Sequence, residues 1–102
     1  MLSSQHSGQH LYLDLKETKV DFTNSELFRK LLLSAIEDHP DDVRLNVSRL
    51  EMFDSTTLQI MIFFHKTIQK YGGKLTLCSP PKDLMTILQL SRLDVFFNIQ
   101  EC

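Results

Sequence analysis

Five consecutive residues, Phe53-Asp54-Ser55-Thr56-Thr57, gather short oxygen-bearing side chains just before a long stretch of helical apolar spacing. Side chains of this kind accept hydrogen bonds from the free N–H groups of a helix start, so the run reads first as an N-cap. The same geometry suits a phosphorylation switch. A phosphoserine carrying about −1.5 to −2 charge is favoured at a helix N-terminus and disfavoured beside a carboxylate such as Asp54, and the two effects partly offset within the domain. A partner docked on the turn feels the added charge more strongly, because desolvating it is expensive unless it is paired.

The other polar constellations are weaker. His6 and His10 have helical metal-ligand spacing, but their segment has no apolar face to hold a helix and no carboxylate or cysteine to complete a site. His39 falls beside a helix end, where an imidazole can meet terminal carbonyls. His65 lies mid-helix among Met61, Ile62 and Ile68 and reads as a partly buried, hydrogen-bonded structural residue. A serine at a helix start and a histidine ten positions along need not face each other, and no third group supports a Ser55–His65 enzyme. The glycines do not make a phosphate cradle, since Gly72-Gly73 closes a helix and does not open one. Cys78 and Cys102 lack metal-motif spacing and disulfide-scaffold density, and are read as free thiols. The expectation is a protein without catalysis, cofactor or metal.

The elements that must position the turn are legible in order. Residues 1–9 are polar and read as a flexible tail, with the domain spanning 10–102. Leu11, Leu13 and Leu15 alternate with polar neighbours as in a half-buried strand. Thr23-Asn24-Ser25-Glu26 matches a capping box, and apolar residues at helical spacing from Leu27 to Ile36 predict a helix over roughly 24–38, ended by Pro40. Val43 to Val47 alternates again, and Leu50 to Phe53 leads up to Asp54. A long helix then runs from Thr56 to Tyr71, closed by Gly72-Gly73. Lys74 to Cys78 is the next strand, Pro80-Pro81 opens a helix that runs to about Leu93, and Val95 to Ile99 reads as a last short strand. Strands alternating with helices through short connections describe a mostly parallel α/β sheet with crossover helices.

Composition narrows the partners. The chain has 102 residues, the size of one domain, with 13 acidic and 11 basic residues. That near balance lacks the positive field nucleic-acid phosphates require. No apolar run approaches the roughly 20 residues of a membrane span and no signal segment is evident, so neither nucleic acid nor direct membrane insertion is expected, and the reading is cytoplasmic.

Five segments in order resemble the STAS domain of bacterial anti-sigma-factor antagonists. They are Val20 to Asn24 before the first helix; Val43 to Leu50; Met52 to Leu58, similar to the family's Asp-Ser-(Ser/Thr)-Gly-Leu signature; His65 to Leu75; and Ile87 to Phe97. The resemblance implies a single-domain α/β fold, a mixed and mostly parallel β-sheet with helices mainly on one side. It implies partner switching: a serine kinase that is also the anti-sigma factor phosphorylates Ser55, with Thr56 as the fallback acceptor, and a metal-dependent serine phosphatase restores it. Asp54 would orient the hydroxyl or meet the kinase's nucleotide side, and Asp21 would share the surface. Thr57 and Gln59 stand where the family carries small residues, adding bulk where a kinase backbone would approach. With Ile60 and Phe63 they complete the expected partner face. Phe63 and Phe64 add to a helix already rich in Ile60, Met61 and Ile62, which suits a thick core or a docking face, including a weak homodimer. The first-strand region is short against the family pattern, which would open a sheet edge to a partner. The alternative function is an unphosphorylated adaptor subunit of a lipid-transport or stress-sensing complex.

Overall fold

Alternation of apolar and polar residues sets the central strands. In β2 (His10–Leu15) Leu11, Leu13 and Leu15 are buried, and in β4 (Asp42–Asn46) Val43 and Leu45 are. The period of two sends His10, Tyr12, Asp14, Arg44 and Asn46 to the opposite face. The computed structural model describes all of residues 1–102. Besides these strands it contains β1 (Leu2–Ser7), β3 (Lys19–Val20), α1 (Ser25–Ala35), β5 (Met52–Phe53) and α2 (Ser55–Lys70). It closes with β6 (Lys74–Cys78), α3 (Lys82–Leu90), α4 (Leu93–Phe96) and β7 (Asn98–Gln100).

The main sheet has five strands in the order β1-β2-β4-β6-β7, antiparallel only between β1 and β2. Each crossover, through α1, through α2, and through α3 with α4, moves one place in the same direction across the sheet. Because parallel crossovers are right-handed, all the helices fall on one face. Phe28 and Leu32 of α1, Met61, Phe64 and Ile68 of α2, and Leu84 and Leu88 of α3 cover Leu11, Leu13, Val43, Leu45, Leu75 and Leu77 in one continuous core. Each fully buried large side chain contributes about 1.5–3 kcal/mol. The uncovered face is polar and cross-linked: Asn46 Nδ2 donates to Tyr12 Oη at 2.7 Å, Asn98 Nδ2 donates to Thr76 Oγ1 at 2.7 Å, and His10 Nδ1 lies 3.0 Å from Asp42 Oδ2.

Several expectations are corrected. Residues 2–7, read as a flexible tail, form edge strand β1, in register with β2 from Leu2↔Leu15 to Ser7↔His10. Gly8, with φ 62°, begins the two-residue turn. This strand is held by backbone pairing and has no apolar pattern to announce it, and it also fills the sheet edge that was expected to be open. The capping box at 23–26 does not form. Asn24 is the N-cap of α1 without a side-chain cap bond; its amide accepts from Asp21 N–H and donates to the Lys19 carbonyl. The stretch 95–99 divides, with Leu93–Phe96 helical and only Asn98–Gln100 paired to β6.

Cys78 and Cys102 are joined in a disulfide, contrary to the free-thiol reading. The β6–β7 register sets Cys78 opposite Gln100, and two residues further Cys102 returns to the same face. The Cα–Cα separation is 5.3 Å. His39 caps nothing with its ring: it takes a left-handed backbone, φ 52°, and stacks on Tyr71 at 4.6 Å. His65 is only 5% exposed, and neither ring nitrogen has a hydrogen-bond partner, where a hydrogen-bonded residue was expected. Its ring meets Phe96 and Phe97 edge-on, and burial pulls its pKa below the ordinary imidazole value.

Candidate functional site

The site is built on a second, two-stranded sheet. β3 and β5 pair in parallel, Lys19↔Met52 and Val20↔Phe53, and the Thr18 carbonyl accepts from both Glu51 N–H and Met52 N–H. This register carries the chain into two turns side by side, one starting at Asp21 and the other at Asp54. Both residues precede helices, and both organise their turns.

Asp54 is the N-cap of α2 in extended conformation. Its Oδ1 accepts from Thr57 N–H at 3.1 Å, and Asp54 N–H reaches Thr57 Oγ1 at 3.4 Å, closing a capping box. Its Oδ2 accepts from Phe22 N–H at 3.1 Å. Each Asp54 oxygen thus accepts one backbone N–H, fastening its own helix and the neighbouring turn. Asp21 Oδ1 accepts from Thr23 N–H at 2.9 Å and from the Thr23 hydroxyl, and Lys19 Nζ lies 3.4 Å from Oδ2. The Thr23 side-chain bond first, then the backbone bond and Lys19, hold its carboxyl below the usual carboxylate range, so Asp21 is anionic at neutral pH.

Ser55 is the first residue of α2 and is exposed. Thr56 behind it is half-buried. Gln59 and Phe63 follow Ser55 at four-residue steps and share its side of the helix, with Phe63 48% exposed. Thr57 is different from its expected place on the partner face. It is 0% exposed, and its hydroxyl donates to the Val20 carbonyl. The bulk expected to obstruct a partner at this position points inward and ties α2 to β3. Ile60 is likewise in the core and offers no direct contact to a partner. The surplus of apolar residues on α2 resolves the same way: Ile60, Met61 and Phe64 are buried and Phe63 is outside.

Two surface residues escaped the sequence reading. Phe22 is 77% exposed directly beside Asp54, and Met52 is 62% exposed one strand over. Sequence pattern gave no signal for either, because outward exposure of an apolar residue in a two-residue strand or turn depends on pairing between distant segments. The exposed surface is thus an acidic and apolar rim, Asp21, Phe22, Met52 and Asp54, around a free hydroxyl. His65 lies ten residues from Ser55 along α2, about 15 Å in helical rise, so the two do not form a catalytic pair. No group of three or more His, Cys, Asp or Glu side chains is arranged to hold a metal ion, and no helix is long and apolar enough to cross a membrane.

The geometry defines a small α/β domain that presents a hydroxyl-bearing helix start on a braced double turn. The family model of the STAS domain matches residues 2–101, and the chain belongs to that family. Solved structures share the fold across nearly the whole chain. An anti-sigma-factor antagonist (STAS) domain protein from Planctomyces limnophilus is similar with a TM-score of 0.88 at 18% identity, covering 99% of this chain and 90% of that one. An anti-sigma factor antagonist from Mycobacterium paratuberculosis gives 0.87 at 14% identity, covering 100% and 86%. The Bacillus cell fate determinant SpoIIAA in its phosphorylated form gives 0.74 at 17% identity, covering 97% and 90%. No curated protein matches the sequence.

Proposed function

We propose that the chain is a non-catalytic anti-sigma-factor antagonist that works in the cytoplasm by partner switching. Ser55 is the phosphoacceptor of a serine kinase that also serves as the anti-sigma factor, and a metal-dependent serine phosphatase reverses the modification. The observation that carries this reading is the exposed Ser55 on the first turn of α2, next to an Asp54 whose two carboxylate oxygens each accept a backbone N–H that braces the turn. Family membership and the likeness to a phosphorylated SpoIIAA support it. A phosphate on Ser55 would be held by the helix N-terminus while adding charge beside Asp21 and Asp54, both on the docking rim. The partner face comprises Asp21, Asp54, Ser55, Gln59 and Phe63 with Phe22 and Met52, and Thr56 is the fallback acceptor.

The exposed Phe63, Phe22 and Met52 favour a second reading, a constitutive adaptor of a lipid-transport or stress-sensing assembly. Incubation with ATP and the serine kinase that co-purifies from the native cells, followed by mass-spectrometric location of phosphate, separates the two. Phosphate on Ser55 that is lost in Ser55→Ala supports the switch. A Ser55 that stays unmodified while the protein remains bound to a membrane-transport complex supports the adaptor.

A further inference from the structure

The disulfide shares no residue with the Ser55 turn and plays no part in the proposed switch. Its two cysteines are unequal: Cys78 is fully buried at the end of β6, and Cys102 is exposed. The chain between them holds α3, α4 and the edge strand β7, so the bond ties both ends of this unit to β6. Without the bond, the end of the unit is held by the three-residue ladder of β7 on β6, by Asn98 Nδ2 donating to Thr76 Oγ1 at 2.7 Å, by Ser79 N–H donating to the Gln100 carbonyl at 2.7 Å, and by Cys102 N–H donating to Ser79 Oγ at 3.0 Å. β7 is only three residues long and has one neighbour strand. Leu84 and Leu88 anchor α3 in the core and Phe97 enters it just before β7, whereas no residue of β7 itself is fully buried.

We propose that Cys78 and Cys102 are a redox modification site, a reversible clasp closed by low-molecular-weight disulfides and opened by dithiols. In closing, the Cys102 thiolate attacks one sulfur of oxidised glutathione and expels one glutathione thiolate. Cys78, as thiolate, then attacks Cys102 Sγ and expels the second. The two protein thiols lose two protons and two electrons, and the electrons end on two molecules of reduced glutathione. In opening, a dithiol attacks the sulfur of Cys102, the exposed residue of the pair, Cys78 leaves as thiolate and takes a proton, and the second thiol of the reductant releases Cys102. Access at one sulfur and burial of the other make the exchange directional. A clasp of this kind also reconciles a disulfide with a reducing compartment, where structural disulfides do not persist and the ones that form are transient.

The test uses the full chain equilibrated in mixtures of reduced and oxidised glutathione, with alkylation of free thiols, peptide mapping and hydrogen exchange read by mass spectrometry. Expected are a Cys78–Cys102 link in the oxidised mixture, its opening by dithiothreitol without denaturant, and roughly tenfold faster exchange at Asn98–Gln100 when open. Cys102→Ser should exchange at the fast rate in both mixtures while the amides of β2 and β4 stay protected. Two free thiols in the oxidised mixture, a glutathione adduct that stops on Cys102, a bond that resists dithiothreitol in the native state, or unchanged exchange on opening would each overturn the proposal. None of these readouts depends on phosphorylation of Ser55.

Discussion

Thr57 shows how one side chain can be placed by sequence and aimed only by structure. Its position in the signature was evident, yet its direction depends on β3, a two-residue strand contributed from more than thirty positions earlier. Its hydroxyl satisfies the Val20 carbonyl and receives Asp54 N–H, so Thr57→Val keeps the shape and strands both groups. The expected cost is about 1–3 kcal/mol, read as a lower urea midpoint with unchanged slope. His65 supplies a pH prediction. Burial lowers its pKa from the ordinary 6.5, so as pH falls through that value the unfolded chain takes up the proton first. Native stability therefore declines from about pH 6.5 downward and levels off below the depressed native pKa. Urea unfolding of His65→Leu should show a weaker decline over the same range; an identical pH dependence would remove His65 as the cause. The histidine was visible in the sequence, but its packing against Phe96 and Phe97 was not, because α4 breaks the stretch read as a last short strand.

At the scale of elements, the end of α2 is the feature most completely written in local sequence. Gly72 takes φ 91° and donates its N–H to the Gln69 carbonyl, while Gly73 N–H reaches the Ile68 carbonyl, the paired bonds of a Schellman motif. A Cβ on Gly73 would lie 2.7 Å from Tyr71 Cε1, 2.9 Å from Ile68 Cγ2 and 3.1 Å from the Pro40 carbonyl. Gly72→Ala should cost roughly 1 kcal/mol through backbone strain alone, and Gly73→Ala should cost more by displacing Tyr71, whose hydroxyl donates to the Pro40 carbonyl at 2.8 Å, with thermal unfolding as the measure. Equal effects would contradict this division. The start of α1 was legible as a position and not as a mechanism. Asn24 bridges Asp21 N–H and the Lys19 carbonyl in place of capping its helix, since the β3–β5 pairing brings that loop within its reach. β1 was invisible for the opposite reason: its residues are polar, and its stability comes from ladder pairing with β2.

The whole molecule is a sheet covered on one face, with the Ser55 turn at the end where α2 begins. Fold class was legible because buried strands and crossover helices carry strong, distinct periods. The Cys78–Cys102 bond and the β3–β5 platform were not, because both depend on register between segments far apart in the chain. The platform makes Phe22 the most exposed aromatic beside Asp54. Phe22→Ala should weaken partner binding about tenfold by titration calorimetry and leave the melting temperature unchanged, as expected for an aromatic anchor on a docking rim. The central claim is that charge on Ser55 controls docking, and it is tested most directly by measuring affinity for the co-purifying kinase with unmodified protein, Ser55-phosphorylated protein and Ser55→Ala. The account predicts that phosphate on Ser55 weakens binding at least tenfold and that Ser55→Ala binds as tightly as the unmodified protein after exposure to ATP. Equal affinities for the phosphorylated and unmodified forms would contradict it.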